Sequence, residues 1–202
     1  MGTAGILLAQ HALLHTADVS DGPASIADRT FAGLTDSQLR LRPGKGLNSL
    51  AWLLWHMART EDVNVNLVVT DGQQVWTEEW VRRLKVARTD IGTGMTEDEV
   101  TDLSETLDLT AARAYRSAVG RRTREVVGSI GGGVLDETVG AADVARASAA
   151  GAIGTRAEWL VPFWQNHSRA TRLATVCITH NAIHLGEAQV LRSVAGFGLT
   201  GR

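Results

Sequence analysis

Leu173, Cys177, His180, His184, Glu187 and Leu191 follow one another at intervals of four, three, four, three and four residues. On an α-helix that spacing sets all six side chains on one face. The stretch that carries them, residues 173–194, is largely apolar, so this face has to be buried against another element. A mostly apolar stripe holding two imidazoles constrains the fold twice. It needs helical neighbours to cover it, and something in the interior must satisfy the ring nitrogens, because a buried polar group without a partner is costly.

The rest of the chain offers such neighbours, since helical periodicity dominates and β signals are scarce. Thr3 can cap a first helix to about Val19, ending at Ser20-Asp21-Gly22-Pro23. Pro23 suits the first turn of a second helix that stops near Gly33, or the two are one kinked helix. Thr35-Asp-Ser-Gln-Leu39 reads as a short helical turn, and Asn48 or Ser49 caps a long helix to about Val69, stopped by Asp71-Gly72. Residues 72–95 form a loop with a short helix around 78–86. Thr96-Glu-Asp-Glu99 is a capping-box pattern that opens another helix. Helical pattern resumes over about 110–129 and ends in Gly131-Gly132-Gly133, a short helix fits 141–149, and the last helix runs over roughly 169–195. No internal repeat or linker divides the chain. The expected architecture is one all-α domain over residues 1–202, a four-helix bundle with irregular connecting loops.

Two imidazoles four residues apart can reach one point beside their helix, and such a pair suits a divalent first-row metal completed by ligands from another segment. The candidate third ligand is His56, in the amphipathic run Leu50-Ala-Trp-Leu-Leu-Trp-His-Met-Ala, with Glu61 and Asp62 near the same end. Facing helices are how bundles build metal sites, and three protein ligands leave a position open for a reactant. The competing reading makes these core or interface histidines, with His56 half-exposed and paired to Glu61 or a neighbour.

The other candidates carry less. His11 and His15 form a second pair four apart, but near the N-terminus and beside polar Gln10, Thr16 and Asp18, so they read as a solvated helix face. His167, at a helix start, reads as a capping or loop residue. Cys177 reads as a small buried hydrophobe rather than a ligand. Glu187 reads as an exposed helix glutamate or, alternatively, as the group that orients a ligand one turn away. Trp76, Trp80, Trp159 and Trp164 fall in or near loops and suit core packing, a dimer contact or a pocket wall. Arg121-Arg122-Thr-Arg124 reads as a solvated helix face. Asn181 stands where a zinc peptidase of the HExxH type has its glutamate base, which argues against that chemistry.

Composition narrows the functional classes. A net charge of −2 with no basic block speaks against a nucleic-acid partner. Charged residues or histidines interrupt every apolar run, so no membrane span is expected. Cys177 is the only cysteine, which rules out an intrachain disulfide and fits a reducing cytoplasm, and no secretory signal pattern is visible at the N-terminus. Arginine outnumbers lysine 18 to 2, the usage of a GC-rich genome.

Gly33-Leu-Thr-Asp-Ser-Gln-Leu39 followed by Leu50-Ala-Trp-Leu-Leu-Trp-His56-Met-Ala-Arg-Thr-Glu61 resembles the first half of the DinB-like (DinB/YfiT) superfamily, and Thr179-His180-Asn-Ala-Ile-His184-Leu-Gly-Glu-Ala-Gln189 resembles its last-helix signature. The resemblance is specific over about 30–70 and 165–196 and only compatible between. It implies a four-helix bundle, often a homodimer, with a divalent metal on three histidines, which correspond to His56, His180 and His184. Zinc or nickel is the expected ion. The resemblance also implies a small-molecule substrate and, in the thiol S-transferases and the mycothiol-dependent maleylpyruvate isomerases of the superfamily, a low-molecular-weight thiol such as mycothiol or bacillithiol. Other members of the superfamily leave open a non-catalytic metal-binding or small-molecule-binding protein. No particular catalytic residue follows from it.

Overall fold

The structure, a computed structural model, describes residues 2–198, and its regular elements are helices; among these residues the one bridge is an isolated antiparallel contact between Thr138 and Ser168. In chain order the helices are α1 (Thr3–Leu14), α2 (Ile26–Phe31), α3 (Asp36–Arg40), α4 (Leu50–Asp62), α5 (Glu78–Leu84), α6 (Glu97–Thr106), α7 (Leu109–Ser129), α8 (Gly132–Asp136), α9 (Ala141–Ala149), α10 (Leu160–Phe163), α11 (Arg169–Leu173) and α12 (Asn181–Val194). Helix α4 runs on as a π-helical stretch, Val63–Val69, and a second one, Ala174–His180, joins α11 to α12. Helix α7 packs against both α4 and α1, α12 packs on α4, and α1 lies against the π stretch before α12, closing a four-helix bundle.

Local chemistry places the helix starts. The Ser49 hydroxyl accepts from the Trp52 amide, Asp108 from Ala111, and Ser168 from Thr171, while Thr96 and Glu99 complete a reciprocal capping box. Each such cap stabilises its helix by about 1 kcal/mol and fixes where the helix begins. The N-terminal segment departs from expectation. Helix α1 stops at Leu14, with His15 extended and only a 3-10 turn at Ala17–Val19. The second helix starts at Ile26, not at Pro23, because Ser25 caps it and forms with Asp28 a capping box that Pro23 cannot offer. The glycines after α7 do not form an open loop, since Gly132–Asp136 turns once more as α8.

Helix α4 is the hub: every residue from Leu50 to Asp62 is buried. Its apolar face meets Leu107, Ala112, Tyr115 and Val119 in the largest core cluster. Its charged residues are therefore paired internally. Asp62 accepts from the amides of Val75 and Trp76 and from the Tyr115 hydroxyl, which ties the loop after the π stretch to α7. Arg59 reaches Gln74 and the Thr89 carbonyl and lies over the Trp76 ring. With α4 held on all sides, the ring of His56 has little freedom.

Candidate metal centre

His56 of α4, His180 at the end of the second π stretch and His184 on α12 present ring nitrogens that all lie within 4.8 Å of one another. His56 Nε2 and His180 Nε2 are 3.1 Å apart. The His184 ring stands edge-on to His56 at 4.9 Å between centroids and to His180 at 4.5 Å. Two nitrogens bound tetrahedrally to one zinc ion sit about 3.3 Å apart, so the His56–His180 spacing is compatible with one shared ion as well as with a hydrogen bond.

Each ring is oriented from behind. His56 Nδ1 donates to the Ile91 carbonyl at 2.5 Å, and its ring stacks on Trp52 with centroids 4.4 Å apart. The loop that delivers this carbonyl needs glycine. Gly92 has φ +84°, and a Cβ there would lie 2.6 Å from the Trp55 ring. His184 Nδ1 donates to Glu187 Oε2 at 2.8 Å, and the other oxygen of Glu187 accepts from the Asn48 amide at 2.8 Å. Of the two readings of Glu187, its partial burial and this bond match the orienting one. Burial opposes ionisation of Glu187, but the bonds from His184 and Asn48 prevail and hold its pKa below the usual carboxylate value.

The donor set suits a divalent cation. The bonds at Nδ1 leave the Nε2 lone pairs of His56 and His184 facing the cluster, with no hydrogen-bond donor from outside the triad aimed at them among the described residues. Burial, and then the neighbouring His184, push the His56 pKa down to about 3, and burial followed by His56 and His184 takes His180 well below its ordinary value. The two rings are therefore neutral at pH 7, the form that ligates a metal.

A cavity of about 420 Å³ opens onto all three imidazoles. Trp52, Met95, Leu160 and Trp164 give it apolar walls, and Trp159 and Phe163, both more than half exposed, stand at its rim. The volume is in the range of small-molecule sites. Periodicity could not assign Trp159 and Trp164 to this wall, because the segment between α9 and α11 has no regular pattern. Trp76 and Trp80 instead pack on Tyr115.

The remaining candidates fall elsewhere. His11 and His15 are not on a solvated face. Both are buried, stacked with centroids 4.8 Å apart, and His11 Nε2 lies 3.1 Å from Glu61 Oε1. The reason is the short α1, whose polar-looking side is covered by α7, with Gly120 leaving room for the His15 ring. His11, His15 and Glu61 also bring three ligand atoms within 4.8 Å of one another, but His15 Nδ1 accepts from the Thr16 amide and Glu61 is already bonded to His11, Thr123 and Asn181. Cys177 is buried among Leu7, Val65 and Val176, outside the triad. The π stretch accounts for this: its wider turn rotates Cys177 away from the face that an unbroken α-helix would share with His180. His167 is exposed just before the Ser168 cap, and its carbonyl accepts from Val139. The arginines of the 121–124 run are occupied in the fold, Arg121 with Asp18, Arg122 with Asn66 and Arg124 with the Leu8 carbonyl.

Comparison with known proteins agrees with this architecture. No curated protein sequence matches the chain. A conserved protein from Enterococcus faecalis, known from its crystal structure, superposes with a TM-score of 0.64 at 16% identity, over 97% of this chain and 96% of the other, a likeness of fold alone. The sequence profile of the DinB superfamily matches residues 25–188, a span that includes α4, α12 and all three histidines, and the chain belongs to that superfamily.

Proposed function

We propose that the chain is a divalent-metal-dependent enzyme for a small molecule, with His56, His180 and His184 as protein ligands, and that its reaction is S-transfer from a low-molecular-weight thiol such as mycothiol. The observation that carries this reading is the cavity reaching the three imidazoles. A sealed cluster would suit a structural ion, whereas an open face leaves a position for a reactant. Zinc or nickel on these rings would act as a Lewis acid that lowers the pKa of a thiol toward neutrality.

The chain's own residues position and shield. Ile91 and Trp52 fix the His56 ring, Glu187 and Asn48 fix His184, and the apolar walls limit water around the reacting atoms. In the transfer, the thiol loses its proton to solvent, its sulfur bonds to an electrophilic carbon, and the leaving group departs with the bonding electron pair. We also assign a symmetric homodimer, but not through the loop tryptophans. Ile183, Val190 and Val194 of α12, with Ile6 and Leu13 of α1, are each more than half exposed and provide the apolar area for a two-fold contact. A reducing cytoplasm fits the lone buried thiol.

The test is turnover by metal-loaded and metal-stripped protein with a panel of low-molecular-weight thiols and a chromogenic electrophile. Metal-dependent thioether formation is expected. Activity that survives complete metal removal would contradict the proposal, and metal binding with no turnover across the panel would favour a non-catalytic metal- or small-molecule-binding protein.

A further inference from the structure

Among the described residues, one buried cation has no hydrogen-bond or ion-pair acceptor. Arg172, at the end of α11, is 4% exposed, yet among the described residues no carboxylate or carbonyl pairs with its guanidinium, and its Nε is a buried donor without a partner. Its ring contact is with Trp164, whose centroid lies 5.3 Å from the guanidinium carbon. The Nε atoms of Arg59 and Arg116 are likewise buried without a partner, but the terminal nitrogens of the other deeply buried arginines are paired. Arg59 bonds to Gln74 and the Thr89 carbonyl, Arg116 to Asn181 and the Leu14 carbonyl, and Arg192 to carbonyls of Thr30, Ala32 and Gly198. Burial lowers the Arg172 pKa only to about 10, so it stays charged at neutral pH. An unpaired buried charge is costly unless something enters to meet it.

Arg172 lines the same cavity as the imidazoles, and so does Thr60, whose buried hydroxyl also lacks a partner. Two unsatisfied polar groups therefore share one chamber with His180, between apolar walls from Leu160, Phe163 and Trp164. A single guanidinium and one hydroxyl match a monoanion better than a phosphate, which calls for more donors. The planar fork of an arginine fits the two oxygens of a carboxylate.

We propose that Arg172, with Thr60, is a carboxylate-binding subsite, and that the substrate is a small organic acid whose apolar skeleton lies along Trp164 and Phe163 while its reactive end faces the three histidines. The assignment rests on reading the cavity as a substrate site. It adds the substrate's charge and its orientation.

The experiment measures binding, not turnover. 3-Phenylpropanoate, its neutral amide and inorganic phosphate are titrated into metal-stripped and metal-loaded protein, followed by tryptophan fluorescence and calorimetry. In both forms the carboxylate is expected to bind at least tenfold more tightly than the amide, and phosphate to bind more weakly than the carboxylate. Arg172→Met should abolish the preference for carboxylate over amide, and Arg172→Lys should retain part of it. Because Arg172 has no hydrogen-bond or ion-pair partner to lose, and a methionine can keep the packing against Trp164, Arg172→Met should leave the melting temperature unchanged or raise it. Equal binding of acid and amide by metal-stripped wild-type protein would overturn the proposal, and this comparison stands even if the methionine variant fails to fold. A preference seen only with metal present would place the carboxylate on the ion instead, and tighter binding of phosphate would make the site one for phosphate; either result overturns the assignment. A carboxylate preference that persists in the metal-stripped protein while thiol turnover is absent would sink the S-transfer reading alone.

Discussion

Glu187→Gln is the most discriminating substitution near the candidate metal centre, because it changes one charge and almost no shape. The carboxylate accepts two bonds of 2.8 Å, from His184 Nδ1 and from the Asn48 amide. A glutamine has one acceptor oxygen, so it can keep only one of these bonds and must turn an NH₂ group toward the other donor. If His184 loses its anchor, the ring gains freedom and its Nε2 becomes a weaker base. Removal of such a supporting carboxylate typically lowers metal affinity 10–100-fold, which corresponds to about 1.4–2.7 kcal/mol. Competition for zinc against a chromogenic chelator at fixed pH reads this directly, with circular dichroism to show that the helices persist. Asn48→Ala removes the outer bond only, so its effect should be several times smaller. A folded Glu187→Gln protein that binds zinc as tightly as the wild type would refute the orienting role.

Cys177→Ala should leave metal content unchanged and cost about 1 kcal/mol of stability by urea unfolding; burial, followed by the negative charge of Glu61, raises the thiol pKa well above its ordinary value, so Cys177 should also resist thiol reagents in the native protein. His15 gives a pH dependence. Burial first, then Arg116 and His11, hold its native pKa well below 6.5, while the unfolded chain takes up a proton there near 6.5. This contribution to stability is complete above that pH and is lost progressively as the pH falls below it. Metal-stripped His15→Gln protein should therefore lose less stability than the wild type between pH 7.5 and 5.5, and equal losses would refute the assignment. For the dimer, Val190→Asp should shift the light-scattering mass from two chains to one, and a monomeric wild type at micromolar concentration would overturn that interface.

The candidate site was legible where period and chemistry coincide. The four-residue step from His180 to His184 survives the structure because α12 begins at Asn181 and is regular from there on. His56 could be added because α4 is long, well capped and uninterrupted. One turn earlier the reading of Cys177 as a buried hydrophobe holds, and the π stretch at Ala174–His180 sets it apart from the histidines, a wider turn that nothing in the residue types announces. The polar neighbours of His11 and His15 suggested solvent, but the face is set by α7 and by the absence of a side chain at Gly120, which are tertiary facts. The same holds for Arg172. Its position on a helix is readable, while its lack of a partner depends on what every other segment brings near it.

The central claim is that His56, His180 and His184 together hold one divalent ion. Metal content of purified wild-type protein and of His56→Ala, His180→Ala, His184→Ala and His11→Ala, measured by plasma mass spectrometry after equal exposure to zinc and nickel, tests it most directly. The account predicts about one ion per chain in the wild type and in His11→Ala, and little in the other three, all of them still helical because packing supplies most of the bundle's stability. Full metal content in any of the triad variants, or loss in His11→Ala alone, would contradict it.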